Sequence, residues 1–490
     1  MAGARQTFAR FRRTEGFAAC GNSWLVGKFR GLFVLAIGCA GTPVAPVPEL
    51  VRAVDRNPEP DVVEVNLVAV AATVDFNGSE TPVFAYRDGS VDGSPATVPG
   101  PLLEANLGDR LIVHFRNELP VDTTVHWHGL RLPIGMDGDP AVAGAVAPGG
   151  TFDYDFRIRD AGLSWYHPHV ATDEQIEMGL QGPMIVHAPD DPAIAIDRTF
   201  VLDDVDLEAS GTIRIEPSHD DLVLGRRDGM LLINGKPPGA ITAAAGSVER
   251  WRFVNTSNGR FFELTLDDLP LRVIGWDGGL IPQPYDVRRL AIAPGERYDV
   301  VVALDRARGS TIVLATRDVV RGHGGVDRAA DLVRVELDGE PVARDVVPAS
   351  GPAIEPLAVS AQTATRRFTL SEQLDGPAGV VYFINDQRWP LNTPLEVALG
   401  DVEVWEITNE AEAEHPVHVH GHFLQVLDRD GVTEPYLGHK DTVVLGAGST
   451  IHAALRYDEP GKWMFHCQIP EHAELGMTAD VNVQPAKETR

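Results

Sequence analysis

Three stretches of the chain alternate apolar and polar positions in one shared frame. They run Leu107–Asn117, Ala245–Asn255 and Leu399–Asn409, and in each a glycine (Gly108, Gly246, Gly400) precedes an asparagine (Asn117, Asn255, Asn409) by nine positions. Leu111, Val113 and Phe115, then Trp251 and Phe253, then Trp405 and Ile407 recur at every second position. That is the period of a strand with one buried face, bounded by turn residues. A second mark follows in each unit: Pro148-Gly149 before Thr151–Phe156, Pro294-Gly295 before Glu296–Val302, and Ala447-Gly448 before Ser449–Leu455. The two marks move together, by 138 and 146 residues between the first and second units and by 154 and 153 between the second and third. A repeat of this length built from short strands predicts an all-β protein of three β-sandwich domains in tandem. Pro189 to Pro192 closes the first unit, and the Pro-, Ala- and Ser-rich stretch Pro341–Arg366 separates the second from the third. The expected domains are 61–190, 198–340 and 355–490. Helix signal is sparse, and Thr172–Gly179 is the best local candidate.

Charge narrows the range of partners. The 490 residues hold 42 Lys and Arg against 70 Asp and Glu, a formal charge of −28. Such a field repels phosphate backbones, so no nucleic-acid partner is expected, while cationic substrates are favoured. Beyond residue 50 no apolar run is long enough to cross a membrane as a helix. Residues 1–50 differ. Arg5, Arg10, Arg12, Arg13, Lys28 and Arg30 precede the apolar stretch Gly31–Gly38 and then Cys39, which reads as an export signal. Leu35–Cys39 resembles a bacterial lipoprotein signal, although Ala36 stands where Leu is usual. The expectation is an exported protein, periplasmic or at the cell surface, whose membrane contact is a lipid anchor at Cys39 if it has one. Arg12-Arg13 invites a twin-arginine reading, but the apolar stretch begins too far downstream. Of the three cysteines, Cys20 and Cys39 lie in this leader, so Cys467 has no intrachain partner in the body. A lone thiol in an exported protein is inert, a ligand or a nucleophile.

The histidines decide between these. Most of the 16 fall into four motifs: His126-Trp127-His128-Gly129, Trp165-Tyr166-His167-Pro168-His169, His415-Pro416-Val417-His418-Val419-His420-Gly421-His422, and His466-Cys467-Gln468 running on to His472 and Met477. Strand residues two apart share a face, so His126 with His128, His167 with His169, and His418 with His420 each aim at one place. Neutral imidazole suits copper, zinc and iron. His466 and Cys467, being neighbours, face opposite ways. Cys467 joins His415, His472 and Met477 if the chain turns back at Pro470. Two imidazoles, a thiolate and a weak thioether form a blue-copper electron-transfer set; zinc is the rival, disfavoured by the thioether and by the lack of a paired-cysteine motif. An electron arriving at Cys467 has one peptide link to cross to reach a metal held by His466. His114, His187, His219, His323, His439 and His452 stand alone and receive no role, and His422 is read as structural.

Taken together, these four motifs and the tandem repeat resemble the three-domain multicopper oxidases of the laccase-like class, over residues 61–485. The resemblance implies three cupredoxin-like Greek-key sandwiches. It implies oxidation of a reductant by single electrons at a type 1 copper and reduction of O2 to water at a trinuclear cluster, with up to four coppers. By the same resemblance His415, Cys467, His472 and axial Met477 hold the type 1 copper, and His126 and His418 the type 2 copper. One type 3 copper takes His169, His420 and His466, its partner His128 and His167. The middle domain then serves as spacer and wall, and Asp137, which alone reads as a turn residue, becomes a carboxylate supporting proton delivery. Two positions depart from the pattern. Gln468 stands where the family has a third imidazole, and an amide oxygen is a weaker neutral ligand. Ala473 stands where many bacterial members carry Glu, and Glu474, one residue on, would face the other way in a strand. The expected reductants are phenols and aromatic amines. Metal ions form a second class, with Glu410, Glu412 and Glu414 before His415 as a cation path. Electrons are expected to enter at the outer edge of His415 or His472. Two other readings follow from the same residues: an electron-transfer protein with an impaired cluster, and a copper nitrite reductase.

Overall fold

A computed structural model describes residues 44–485 apart from Asn77, Ser79 and Asp228. The leader, with Cys20, Cys39 and the Arg12-Arg13 pair, lies outside the described residues. Strands dominate and assemble into three two-sheet sandwiches. The first sandwich runs from the strand Val62–Asp75 to Gly182–His187, the second from Asp197–Val205 to Ala330–Glu336, and the third from Ala364–Gly376 to Thr478–Gln484.

The repeat seen in the sequence is one structural unit used three times. The strands Arg110–Glu118, Val248–Asn255 and Val402–Asn409 carry the first mark, and each pairs in parallel with the opening strand of its own sandwich. Each also pairs antiparallel with the strand that follows the second mark: Thr151–Arg157, Arg297–Ala303 and Thr450–Arg456. The two marks travel together along the sequence because they are neighbours in a sheet. The closing asparagines are fully buried and tie the loop beyond the strand to the sandwich. Asn117 donates to Val121 and Val146 carbonyls, Asn255 to Arg260 and Ile292, and Asn409 to Ala413 and Leu445. Their side-chain oxygens accept from Leu119, Ser257 and Ala411 amides. A buried amide with its bonds made costs about 1–3 kcal/mol to disrupt, and no other side chain of this size offers two N–H donors together with a carbonyl acceptor.

Each sandwich has its own apolar core, built on the inward residues of the alternating strands. The core of the third is shared: Val223, Leu224, Phe261 and Ala293 of the middle sandwich pack into it. The helical candidate forms as Thr172–Glu177. Two short helices that periodicity did not mark, His219–Leu224 and Pro470–Glu474, pack against one another beside the ligand-bearing strands.

Candidate metal centre

The antiparallel pair His415–Val419 and Gly461–Cys467 sorts the donor groups by strand alternation. Val417 stands opposite Cys467 and His418 opposite His466. Cys467 therefore shares a face with Trp463, Phe465, Val417 and His415, all buried in the third core, while His466 and His418 point the other way. On the core face, Cys467 Sγ lies 3.6 Å from His415 Nδ1 and 3.6 Å from His472 Nδ1, and the two nitrogens are 3.1 Å apart. His472 comes from the Pro470–Glu474 helix, whose first-turn proline has no N–H to leave unsatisfied. Met477 is fully buried; its amide donates to the His472 carbonyl at 2.9 Å and its carbonyl accepts from the Cys467 amide at 3.0 Å.

On the other face, imidazoles of the first and third sandwiches meet. His126, His128 and His418 have ring nitrogens within 4.8 Å of one another, as do His126, His169 and His420, and His418, His420 and His466. His167 joins them with its ring centroid 5.2 Å from His126 and 5.8 Å from His128. Only His126 and His128 share a single strand as expected. His169 and His420 lie just beyond strand ends, yet each ring stays close to its motif partner, at 5.5 Å from His167 and 4.9 Å from His418.

Hydrogen bonds set which nitrogen is free in six of these rings. His126 Nδ1 donates to the Asp137 carbonyl and His420 Nδ1 to Asp137 Oδ2 at 2.8 Å, so one residue of the first sandwich orients a ring of each end domain. His418 Nδ1 donates to the Asp441 carbonyl, His167 Nδ1 to Pro168, and His466 Nδ1 to Cys467. His128 is turned the other way: Nε2 donates to Asp441 Oδ1 at 3.0 Å. The nitrogens left over, His126 Nε2, His128 Nδ1, His167 Nε2, His169 Nε2 and His418 Nε2, are buried without a partner. His420 Nε2 and His466 Nε2 face each other at 2.9 Å, although both rings already donate from Nδ1. Two lone pairs at that distance repel unless a cation sits with them. Burial holds His128, His167, His169, His418 and His420 below the usual imidazole range and brings His415 and His466 down to about 3. These rings are neutral at physiological pH, the form that binds metal. Burial also pushes the Cys467 thiol well up, so a cation is what would make it a thiolate. On these grounds the donor set fits copper ions on both faces.

Gln468 leaves the end of the same strand, its side-chain oxygen buried and unpartnered. It lies on the His128 side: a methyl group at Gly295 would come within 3.1 Å of its Cδ and 3.2 Å of His128 Cε1. A cavity of about 340 Å3 reaches His167, His169, His466 and Gln468, and Asp139 and Glu474 line it. The expectation for Glu474 is corrected here. It assumed strand alternation, but the segment is helical, and Glu474 does face the region of the cluster, accepting from the Thr172 amide at 3.0 Å. Burial raises the carboxyls of both Asp139 and Glu474.

Two further expectations change. Neither imidazole edge of the thiol site reaches solvent: His415 and His472 are fully buried, and His472 Nε2 donates to the Val223 carbonyl of the His219–Leu224 helix at 3.1 Å. Tyr382 closes the same side, its ring 4.2 Å from that of His472 and its hydroxyl donating to the Leu222 and Val223 carbonyls. The middle sandwich is also more than a spacer. It contributes no member to the clusters found among the described residues, yet Arg226 and Asn258 bind Glu471 beside His472, and Arg297 pairs with Asp441 beside His128. Sequence reasoning missed Asp441, Glu471, Arg226 and Arg297. Each reads as an ordinary charged position until the fold removes it from water. Glu410, Glu412 and Glu414 divide: Glu414 pairs with Arg321, and Glu412 lies near His323.

Comparison with known proteins agrees with this geometry. Family models described as multicopper oxidase match residues 66–191, 207–330 and 356–487. The multicopper oxidase MmcO of Mycobacterium tuberculosis is 29% identical over 451 residues, covering 85% of this chain and 86% of its own. A laccase of Bacillus stratosphericus is 27% identical, covering 89% and 98%. The crystal structure of a variant of the McoA multicopper oxidase from the hyperthermophile Aquifex aeolicus superposes with a TM-score of 0.79 at 25% identity, over 91% of this chain and all of that one. The matched segments take in all three sandwiches in order, so the chain belongs to the multicopper oxidase family and is a copper-dependent oxidase.

Proposed function

We propose that the protein oxidises phenolic, aromatic-amine or metal-ion reductants by single electrons and reduces O2 to water. Copper, when bound, supplies one-electron chemistry at the thiol site and four-electron dioxygen chemistry at the imidazole cluster. The observation that carries this reading is the shared peptide of His466 and Cys467, whose side chains enter the two donor groups on opposite faces of one strand. In this reading Cys467, His415, His472 and Met477 hold the type 1 ion. His126 and His418 hold the type 2 ion, and His169, His420 and His466 one type 3 ion. His128, His167 and Gln468 hold the other; their orphaned Nδ1, Nε2 and Oε1 atoms support that grouping. Asp137 orients His126 and His420, and the 340 Å3 cavity supports entry of dioxygen and exit of water. Because His472 is capped by the middle sandwich, the reductant delivers its electron across the His219–Leu224 helix rather than to a bare imidazole edge.

Copper-loaded protein with a phenolic dye tests this: oxygen uptake of one O2 per four electrons is expected. Gln468 favours one other reading, an electron-transfer protein with an impaired cluster. Blue protein that is reduced by the dye yet consumes no oxygen would establish that reading instead. Nitrite consumption without oxygen uptake would establish a nitrite reductase. We further propose export to the periplasm or cell surface, with Cys39 as the lipid-bearing residue. The supporting pattern is the basic leader and apolar stretch before Cys39. The mass of the N-terminal peptide of protein recovered from cells tests it, and an unprocessed Met1 would refute it.

A further inference from the structure

The same glycine turn occurs in all three sandwiches, but its surroundings differ. A methyl group at Gly149 or Gly448 would meet nothing within 4 Å, whereas one at Gly295 would strike Gln468 Cγ at 2.5 Å. Two residues after each glycine stand Thr151, Arg297 and Thr450; Thr151 is exposed, Thr450 is half-buried, and Arg297 is 1% exposed. The middle copy of the turn has thus been pressed against the cluster and given an arginine there.

That guanidinium touches all three sandwiches. Its Nε donates to the Leu163 carbonyl of the first at 3.0 Å; Nη1 and Nη2 donate to the Gly295 and Asp277 carbonyls of the second at 3.0 and 3.1 Å. The same two nitrogens grip both carboxylate oxygens of Asp441 in the third, Nη1 at 2.7 Å from Oδ1. Asp441 Oδ1 in turn accepts from His128 Nε2 at 3.0 Å and from Thr442 Oγ1 at 2.9 Å, while its carbonyl accepts from His418 Nδ1 at 3.0 Å. The glycine closing His126-Trp127-His128-Gly129 belongs to the same arrangement: a methyl group at Gly129 would fall 2.3 Å from Arg297 Nη2.

We propose that Arg297, from the sandwich without ligands, is a positioning residue for the imidazole cluster. It locks Asp441, and Asp441 locks His128 with Nδ1, not Nε2, toward the metal and His418 with Nε2 free. The bidentate fork and the donors to Leu163, Gly295 and Asp277 demand a guanidinium; a lysine ammonium cannot make them together. The inference rests on reading the imidazole group as a copper cluster.

The test is Arg297→Lys in the full chain, loaded with copper and compared with wild type. The expected result is copper at the imidazole group retained about 10–100-fold less tightly against a chelator. The coupled type 3 pair should become visible by electron paramagnetic resonance, while the blue band of the Cys467 site keeps its intensity. Asp441→Asn, which preserves shape, should give the same signature, and the double variant should be no worse than either alone. It carries the test if Arg297→Lys yields no soluble protein. Arg159→Met removes the Arg159–Glu459 pair, an exposed link between the first and third sandwiches, and should leave every signal unchanged. Arg297→Lys or Asp441→Asn protein with wild-type copper retention and a silent type 3 pair overturns the inference. So does equal loss from the blue site and the cluster, the mark of a residue that only glues domains. If wild-type protein shows no coupled pair at all, the cluster reading fails and takes this inference with it.

Discussion

The thiol site and the imidazole cluster are joined by one peptide link but are built on different principles. All donors of the thiol site come from the third sandwich, between His415 and Met477, and they sit in an apolar core to which the middle sandwich adds Val223, Leu224, Phe261 and Ala293. The cluster draws its rings from the first and third sandwiches and takes its orientation from Asp137, Asp441 and, behind Asp441, the middle sandwich. The thiol site takes every donor from one domain, with the middle sandwich adding its cover, whereas the cluster gathers its rings only when the first and third sandwiches dock in register. By the motif resemblance, the departure at Gln468 falls in the second site and none falls in the first.

The strongest way to separate the two is Cys467→Ser. It should abolish the blue absorption and reduce turnover to background, while copper remains countable at the cluster; loss of all copper would mean the two sites are one cooperative unit. Acid should act on both. Because burial keeps His415 and His466 down at about 3 and His422 at about 4, the folded metal-free chain leaves these rings neutral where the unfolded chain protonates them. Their contribution is full above about pH 6.5 and is lost as pH falls from there toward 4 for His422 and toward 3 for His415 and His466. The loss is about 1.4 kcal/mol per pH unit for each ring that stays neutral. Thermal unfolding of metal-free protein across this range measures it, and a flat profile would show that the rings are solvated.

A smaller change sharpens the contrast at the cluster alone. Gln468→His should tighten copper retention at the cluster, by about tenfold at the lower end of what altering a metal site's surroundings produces, with the blue band unmoved. Unchanged copper content, spectrum and turnover would show that Gln468 has no part in the site. The least of these effects is expected from Tyr382→Phe, which removes the hydroxyl that holds the Leu222 and Val223 carbonyls. It should cost about 1 kcal/mol and, by loosening the cover over His472, raise turnover of bulky phenols relative to small reductants. Equal change for both classes would argue against that helix as the point of electron entry.

Legibility followed the range of the interactions. The all-β class, the threefold repeat and the shared face of His126 and His128 could be read along the chain, because alternation along a strand is a local property; the grouping of His415, His418, His420, His466, Cys467 and His472 was implied by the motif resemblance. Glu474 was misjudged because its short segment, led by Pro470, is a helix held by contacts of Glu471 with Arg226 and Asn258, more than 200 residues away. The burial of His472 was hidden because its cover, the helix His219–Leu224, has too few residues for a clear period and belongs to another domain.

What the amino-acid order alone determined is which side chains are available and which face of a strand each takes, since pleating places neighbours on opposite sides wherever the strand lies. It settled that His466 and Cys467 part company, as do His415 and His418; the register between the two strands then puts His415 with Cys467 and His418 with His466. What only the tertiary structure decided is which ring nitrogens are left free, which carboxylates lose water, and that an arginine of the middle domain, which adds no member to the clusters among the described residues, stands behind His128. Those outcomes depend on hydrogen bonds and desolvation between groups such as Arg297 and Asp441, 144 residues apart, which acquire their strength when docking removes both from solvent.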